Sequence, residues 1–207
     1  MTILVTLVVG YVLGSIPTGL LVGRRYGIDV REYGSGKTGF TNTLRALGFG
    51  PALLVVTVDV AKGAAPVVLG SFVFGDHWAT ALGGVAAVAG HIWPIFAGFR
   101  GGRGVATAFG AFVAMHLLVG VLVLLAAGIV LAVTRYVSLM SVSGVLAGFV
   151  ALVALVVADL LPPEYLLFGA LVTAFVELNH IGNIRRLLSG TEPKLGQGGG
   201  RRGPQGA

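Results

Sequence analysis

Long apolar runs alternate with short polar segments along most of this chain. The runs cover residues 3–23, 52–74, 79–98, 104–134, 138–160 and 165–181. A helix needs about 20 apolar residues to cross the hydrocarbon core of a bilayer, and these runs reach or approach that length. Because a spanning segment must bond its backbone polar groups internally, the pattern predicts an all-α membrane protein built as a helical bundle.

The composition indicates the same class of protein. Of the 207 residues, 56% are apolar and only 11% are charged, which is unusual for a soluble domain. Cysteine is absent, which excludes disulfides, thiolate metal sites and an acyl-cysteine intermediate. Residues 1–22 lack a basic start and a small-residue cleavage site, so we expect them to remain as the first span rather than to be a removable signal peptide.

The run over residues 104–134 fits two helices better than one. As a single helix it would place Arg103 and Arg135 on opposite sides of the membrane. A break near His116 leaves every Lys and Arg except Lys62 on one side, which is the positive-inside pattern. We therefore predict a bundle of seven transmembrane helices, some of them short, with the N-terminus outside and the C-terminus in the cytoplasm.

The C-terminal segment, residues 190–207, is rich in glycine and has little apolar content. We predict a seven-helix domain over residues 1–189, followed by a disordered cytoplasmic tail over residues 190–207. The formal net charge of +6 does not indicate nucleic acid as a partner, because most basic residues lie in short loops beside the spans. In such loops they set the topology and meet anionic lipid headgroups.

Four polar clusters would lie on the cytoplasmic side in this topology. They cover residues 34–45, 90–107, 135–141 and 180–186. Their shared side of the membrane indicates that they form one site.

The first cluster is a glycine-rich, basic loop that contains Gly-Lys-Thr, the last three residues of a nucleotide-binding P-loop. The first glycine of that motif is replaced by Arg31, and no strand precedes the loop, so a P-loop NTPase is disfavoured. Glycines let successive backbone amides point at one oxyanion, and a helix beginning near Thr41 would add the positive end of its dipole. The loop is a candidate phosphate site; the alternative is a flexible turn whose charges set topology.

The second cluster combines a helix-breaking proline with three glycines and two arginines. Pro94 can end a span before it leaves the membrane, and Gly101, Gly102 and Gly104 would present exposed amides beside the guanidiniums. Arginine binds phosphate in a bidentate manner. Two such loops on one side suggest two phosphates, whereas the alternative for this loop is a patch that meets lipid headgroups.

A buried charge pair is predicted inside the second span. Asp59 and Lys62 lie three residues apart, so their side chains can meet on one helix face. Charges at this depth are costly unless paired, and the pair either braces the site or acts in catalysis. No two histidines lie at ligand spacing beside carboxylates, so we predict no metal site.

The third and fourth clusters carry polar side chains at helical spacing. Ser138 and Ser141 lie one turn apart and could donate to a phosphate or bond back to their own helix. His180 and Asn183 share a helix face near the cytoplasmic end of the last span. His180 is either a catalytic base or a group that caps the helix and meets headgroups.

Together, six segments resemble the bacterial membrane acyl-phosphate:glycerol-3-phosphate acyltransferase family, often called PlsY, in order and spacing. The segments are residues 14–17, 34–45, 59–63, 90–107, 135–138 and 180–184. The resemblance implies a seven-helix enzyme of the bacterial plasma (inner) membrane, with its active site facing the cytoplasm and no cofactor. Its partners would be acyl phosphate, glycerol 3-phosphate and membrane lipids. It would transfer a fatty acyl group to the 1-hydroxyl of glycerol 3-phosphate, giving lysophosphatidic acid and phosphate at the start of phospholipid synthesis.

The resemblance also implies a set of site residues. Substrate binding would involve Ser35, Gly36, Lys37, Gly39, Thr41, Asn42, Arg45, Gly101, Gly102, Arg103, Gly104, Ser138 and Ser141, and catalysis would involve Ser35, His180 and Asn183. The chain departs from the family pattern, with Lys37 in place of asparagine, Phe40 in place of alanine, and Arg100 and Arg103 in place of lysines.

Acyl phosphate is already activated, so anchored phosphates matter more than a strong nucleophile. We therefore expect direct transfer, in which His180 or a phosphate oxygen of the donor accepts the hydroxyl proton. One alternative is an organophosphate transporter, since glycine-broken helices with basic ends also bind anions in transporters. The other is a catalytically silent, lipid-binding member of the family.

Overall fold

The computed structural model describes residues 1–201, and that part of the chain is helical throughout apart from its loops. Its α-helices are α1 (Thr2–Gly14), α2 (Thr18–Arg25), α3 (Phe40–Leu47), α4 (Phe49–Val68), α5 (His77–Ile92), α6 (Val105–Met115), α7 (Leu117–Thr134), α8 (Val137–Val157) and α9 (Glu164–Leu188). A π-helical turn over Leu69–Val73 extends α4, and 3₁₀ turns lie at Val30–Glu32 and Ile95–Ala97. The predicted all-α class is confirmed.

Six helical segments are long and apolar enough to cross a membrane. They are Thr2–Arg25, Phe49–Val73, His77–Ala97, Leu117–Thr134, Val137–Val157 and Glu164–Leu188. The predicted break near His116 is confirmed, since α6 ends at Met115 and α7 begins at Leu117. The apolar run that looked continuous therefore forms a short helix of 11 residues and a longer one of 18 residues.

The first span is interrupted, which the apolar run over residues 3–23 did not predict. Helix α1 ends at Gly14, and α2 begins at Thr18 after Pro17. Proline has no amide hydrogen and disrupts the hydrogen-bond ladder of a helix. The interruption frees the Ile16 carbonyl for contacts outside α1, and it places the start of α2 beside the first loop.

Small residues allow the helices to approach closely. A Cβ added at Gly14 of α1 would lie only 2.2 Å from the Ala87 carbonyl oxygen of α5. In the core, the rings of Phe112 and Phe168 meet edge to face with centroids 5.2 Å apart. These two rings lie toward the ends of α6 and α9 that are far from the four polar clusters, and the same core extends to the cavity through Val123 and Val145.

The first part of the C-terminal tail folds back onto the helical bundle. The Gly34 N–H donates to the Gly200 carbonyl at 3.1 Å, and the Leu195 N–H donates to the Arg135 carbonyl at 2.8 Å. The tail was predicted to be disordered because it has few apolar groups, yet these contacts use backbone groups, which every residue carries. Residues 202–207 lie outside the described residues.

Candidate functional site

The four polar clusters meet at one cavity of about 760 Å³. Of the residues assigned to substrate binding or catalysis, those in its wall are Ser35, Lys37, Gly39, Thr41, Asn42, Arg45, Arg103, Gly104, Ser138, Ser141, His180 and Asn183. Gly36, Gly101 and Gly102 do not line it. The predicted convergence of the clusters is therefore confirmed, whereas three of the glycines lie behind the wall.

The cavity has a polar part and an apolar part. Its apolar lining includes side chains of four helices: Val56 and Val60 of α4, Phe109 of α6, Val123, Leu124 and Ala127 of α7, and Val145 of α8. The loops and the helix ends nearest to them supply the polar lining. A cavity of this kind suits an amphipathic ligand with an anionic head and an apolar chain.

Asn42 holds the first loop in shape with its side chain. Its Nδ2 donates to the carbonyls of Val30 at 2.7 Å and Lys37 at 2.8 Å, while its Oδ1 accepts from the Ser35 N–H at 2.8 Å. The side chain is only 2% exposed. Asn42 thus uses its amide to brace the loop, and the Ser35 amide is not free for a ligand.

The backbone donors at the first loop belong mainly to the start of α3. The Gly36 N–H donates to the Tyr33 carbonyl at 2.9 Å, so the prediction that this amide points at a ligand is wrong. The amides of Phe40 and Thr41, at the N-terminus of α3, donate to no acceptor within residues 1–201. Helix α3 begins one residue from the predicted position, and its free amides and positive dipole end suit an anion.

The second loop rests on the end of α5. The N–H groups of Gly101 and Gly102 donate to the carbonyls of Ile92 and His91, at 3.2 and 3.1 Å. A Cβ added at Gly102 would lie 2.0 Å from Nε2 of His91. The prediction that these two glycines present free amides is therefore wrong, because their amides are used and their lack of a side chain allows close packing.

A second helix N-terminus reaches the cavity at Gly104. This residue has a φ of 83°, which favours glycine, and it immediately precedes α6. Val105 and Ala106, the first residues of α6, line the cavity, and their amides have no acceptor in the described part of the chain. Two helix N-termini, those of α3 and α6, thus contribute positive dipole ends to one cavity.

Three cations stand beside these helix ends. Burial lowers the pKa of Arg103 to about 10, so its guanidinium remains protonated at neutral pH. Burial, and then the charges of Arg103 and Arg100, lower the pKa of Lys37. The Nε atoms of Arg45 and Arg103 are buried without an acceptor among residues 1–201. Buried cationic donors of this kind are stabilised by an anionic ligand.

Glu192 is a site residue that sequence reasoning missed. Its Oε1 accepts from Asn183 Nδ2 at 2.6 Å, and its Oε2 accepts from Arg186 Nε at 2.7 Å. Burial raises the pKa of Glu192, but the hydrogen bonds, led by that from Asn183, outweigh burial and bring the pKa below its ordinary value. The sequence offered one indication, since Glu192 is the only carboxylate in a basic tail. It was passed over because the tail was predicted to be disordered.

His180 lies in the cavity wall, and its tautomer is fixed by a backbone carbonyl. The side chain lines the cavity and is 1% exposed, with Nδ1 2.8 Å from the Val176 carbonyl oxygen. A carbonyl oxygen only accepts, so Nδ1 carries the hydrogen and Nε2 of the neutral ring carries a lone pair. The ring is therefore in the tautomer that a general base requires.

The two serines of α8 differ. The Ser141 hydroxyl donates to the Val137 carbonyl at 2.8 Å, so it bonds back to its own helix. The Ser138 hydroxyl is buried beside Glu192 and makes no hydrogen bond of good geometry within residues 1–201. Of the two, Ser138 has the hydroxyl that is available to a ligand.

The predicted buried pair is confirmed at the base of the cavity. Lys62 Nζ lies 2.9 Å from Asp59 Oδ1, and the two side chains are 4% and 1% exposed. Lys62 Nζ also donates to the Ile16 carbonyl at 2.8 Å, in the interruption between α1 and α2. The pair therefore connects α4 to the broken first span.

Known proteins resemble this chain over nearly its full length. A family model described as glycerol-3-phosphate acyltransferase matches residues 4–190. Glycerol-3-phosphate acyltransferase 3 of Dehalococcoides mccartyi (strain CBDB1) is 41% identical over 212 residues, covering 94% of this chain and 96% of the relative. Glycerol-3-phosphate acyltransferase of Synechococcus sp. (strain JA-2-3B'a(2-13)) is 48% identical over 198 residues, covering 95% and 96%.

Two crystal structures have the same fold. Both are of PlsY (YgiH), an integral membrane glycerol 3-phosphate acyltransferase. The glycerol 3-phosphate form superposes with a TM-score of 0.88 at 36% identity, covering 95% of this chain and 96% of that one. The lysophosphatidic acid form gives a TM-score of 0.85 at 35% identity, covering 94% and 95%.

Proposed function

The chain belongs to the glycerol-3-phosphate acyltransferase family, and we propose on that basis that it transfers a fatty acyl group from acyl phosphate to the 1-hydroxyl of glycerol 3-phosphate. The products are lysophosphatidic acid and phosphate, and the reaction begins phospholipid synthesis. One observation carries the proposal: two helix N-termini and the cations Lys37, Arg45 and Arg103 face a cavity that is also lined by apolar side chains of four helices.

The two phosphates of the reactants occupy the polar part of the cavity. The free amides at the starts of α3 and α6 bind them together with Arg45 and Arg103, and Lys37 adds a third positive charge. The acyl chain extends along the apolar walls. Anchoring both reactants in this way converts an encounter in solution into an intramolecular step.

The transfer is a direct displacement at the acyl carbon. The 1-hydroxyl oxygen of glycerol 3-phosphate forms a bond to the carbonyl carbon, and the bond from that carbon to the phosphate oxygen breaks. Phosphate leaves with the bonding electron pair, and the buried cations stabilise the charge that develops on it. The hydroxyl proton passes either to Nε2 of His180 or to a phosphate oxygen of the donor, as both lie within the same cavity in this arrangement.

The remaining polar residues hold this arrangement in place. The Ser138 hydroxyl donates to a substrate oxygen. The Ser35 side chain, in the first loop, also lines the cavity and contacts the substrate. Asn183 keeps its Oδ1 for the substrate, while its Nδ2 is held by Glu192. We assign the catalytic unit to residues 1–189, with Glu192 of the tail as an additional contact.

The cavity faces the cytoplasm of a bacterium in this proposal, and the protein lies in the plasma membrane. Helix α6 serves as a short seventh crossing, which puts the N-terminus outside and the C-terminus inside. The break at His116 and the gathering of basic residues near the cavity support this topology. Helix α6 needs the bilayer to thin locally or its ends to be covered by neighbours, as short spans do.

Purified protein mixed with long-chain acyl phosphate and labelled glycerol 3-phosphate tests the proposal. The expected result is stoichiometric release of phosphate together with labelled lysophosphatidic acid. An organophosphate transporter would instead move the label across sealed vesicles without releasing phosphate. A silent, lipid-binding family member would do neither, and either outcome would contradict the proposal.

A further inference from the structure

We infer that Asp59 is a positioning residue that fixes the distance between the two phosphate-binding loops, through Thr18 on one side and His91 on the other. The inference rests on the proposed function, because it concerns the loops assigned there to the two reactants. Neither Thr18 nor His91 was among the predicted site residues, and Asp59 was predicted only as one member of a pair with Lys62 that braces the site or acts in catalysis.

The first arm runs from Asp59 to the first loop. Asp59 Oδ1 accepts from the Thr18 hydroxyl at 3.1 Å, at the start of α2. The next residue, Gly19, lies so close to the first loop that an added Cβ would be 1.8 Å from the Thr38 carbonyl oxygen. Thr38 follows Lys37 directly, so the position of α2 determines where that part of the loop lies.

The second arm runs from Asp59 to the second loop. His91 Nδ1 lies 3.6 Å from Asp59 Oδ1, and the His91 side chain is 5% exposed. The imidazole occupies the space beside Gly102, where an added Cβ would lie 2.0 Å from Nε2, and the His91 carbonyl accepts from the Gly102 N–H at 3.1 Å. Gly102 directly precedes Arg103, so displacing the imidazole displaces the residue that binds phosphate.

The geometry at Asp59 suits a positioning role better than a chemical one. Its Oδ1 is already shared by Lys62 and Thr18, and its Oδ2 is buried without a partner within residues 1–201. Within the same residues His91 Nδ1 has no hydrogen bond either, so the ring is held by packing and by the nearby carboxylate. Asp59 lines the cavity, but the ammonium and the hydroxyl that share its Oδ1 hold the carboxylate in place as an anchor.

Asp76 provides a matched control at the opposite end of the bundle. Its Oδ2 accepts from the Thr2 hydroxyl at 2.6 Å and its Oδ1 accepts from the Ala79 N–H at 3.0 Å, so it also ties two helices together. It does not line the cavity. Losing this carboxylate should reduce stability and leave the positions of the two loops as they are.

The experiment compares Asp59→Asn, Asp76→Asn and the double variant Asp59→Asn/Lys62→Met, measuring melting temperature and the KM for each reactant. A misplacement of about 1 Å can cost about 100-fold in rate, so Asp59→Asn should lower kcat/KM by up to about that factor and raise both KM values. Asp76→Asn should lower only the melting temperature. The double variant removes the uncompensated Lys62 charge, so its melting temperature should recover while its KM values remain high.

Variants of Thr18 and His91 should show separate effects, because each residue connects Asp59 to a different loop. Thr18→Val should raise the KM of the reactant held at the first loop, and His91→Gln that of the reactant held at the second loop, so the two variants should affect different substrates. The inference is overturned if Asp59→Asn changes stability alone, as Asp76→Asn does, or if the double variant also recovers both KM values.

Binding without turnover separates this inference from the proposed function. The melting temperature is measured with added glycerol 3-phosphate or inorganic phosphate. If the wild type is stabilised and Asp59→Asn is not, the inference stands even where no lysophosphatidic acid forms. If the wild type forms lysophosphatidic acid and both proteins are stabilised equally, the inference is wrong and the proposed function stands. If neither ligand stabilises the wild type and no product forms, both are wrong.

Discussion

The two loops that meet at the cavity keep their shapes by different means. The first loop is braced from within, since the Asn42 side chain makes three hydrogen bonds to it and the stretch of chain before it. The second loop is braced from outside, since Gly101 and Gly102 lie on the end of α5. A glycine-rich, basic sequence therefore does not by itself indicate free amides, because the same composition also allows one segment to pack closely against another.

Each loop leads directly into a helix, and the N-termini of these two helices are alike. In both cases the first amides of that helix lack an acceptor within residues 1–201 and belong to residues that line the cavity, at α3 after Gly39 and at α6 after Gly104. An arginine also reaches the cavity at each place, Arg45 from within α3 and Arg103 from the second loop, and each has a buried Nε that lacks a protein acceptor in the described chain. The groups proposed to bind phosphate are thus of the same kinds at both places, while the contacts that hold the two loops in shape differ.

The largest effect is expected from neutralising the arginine of the second loop. In the proposed function Arg103 holds a phosphate through two charge-assisted bonds, each worth about 1.5–3 kcal/mol, so Arg103→Gln should lower kcat/KM at least about 100-fold. Steady-state kinetics with both reactants provide the measurement. Arg100→Gln is the control, because Arg100 is exposed in the same loop and does not line the cavity. Equal losses in the two variants would refute the assignment of Arg103.

A smaller effect should distinguish a glycine that packs closely against a neighbour, Gly102, from one that has open space beside it, Gly39. Gly102→Ala adds a methyl group 2.0 Å from His91 Nε2 and must move the loop, so we expect about a 10-fold loss of kcat/KM. Gly39→Ala adds its methyl group where no atom lies within 4 Å, at a φ of −87° that any residue adopts. Its loss should be clearly smaller than that of Gly102→Ala. The reverse order would mean that the second loop does not depend on packing against α5.

The pH dependence of substrate binding should reveal Lys37. Its pKa lies below that of an ordinary lysine because of burial and the charges of Arg103 and Arg100. The ammonium is charged below this lowered pKa and neutral above it, so KM should rise as pH increases through it. Lys37→Gln should lack this alkaline rise, and Lys37→Arg should stay charged and keep KM low. An identical alkaline rise in all three proteins would exclude Lys37 as its source.

The smallest effect is expected for Glu192, which ties the tail to α9. Its folded-state pKa is depressed, so it contributes stability above its unfolded pKa, and this contribution is lost as pH falls through the folded pKa. Glu192→Gln should therefore lower the melting temperature by a few degrees at neutral pH. At pH values below the folded pKa the variant and the wild type should unfold alike. If the difference in melting temperature between the variant and the wild type is the same in acid, the stabilisation does not come from the charge of Glu192.

Features set by length and charge were predictable from the sequence. Apolar runs indicated the spans, and the positions of Arg103 and Arg135 required the break that the structure has at His116. The convergence of the four polar clusters was also predictable, because helices of membrane length return the chain to the same side. The pairing of Asp59 and Lys62 was expected from helix geometry and the cost of isolated charges.

Features set by tertiary partners were not predictable. The amides of Gly36, Gly101 and Gly102 are used by carbonyls that lie nearby only in the fold. The interruption at Pro17 is masked by the apolar residues around it. Glu192 has no local pattern, and its role arises from Asn183 and Arg186 on another element.

Simultaneous binding of both reactants tests the central claim most directly, namely that one cavity holds two phosphorylated molecules side by side. A non-transferable phosphonate analogue of the acyl donor can be titrated into purified protein with and without saturating glycerol 3-phosphate. We predict that one analogue and one glycerol 3-phosphate bind per chain at the same time. Mutually exclusive binding, in which each ligand displaces the other, would contradict it.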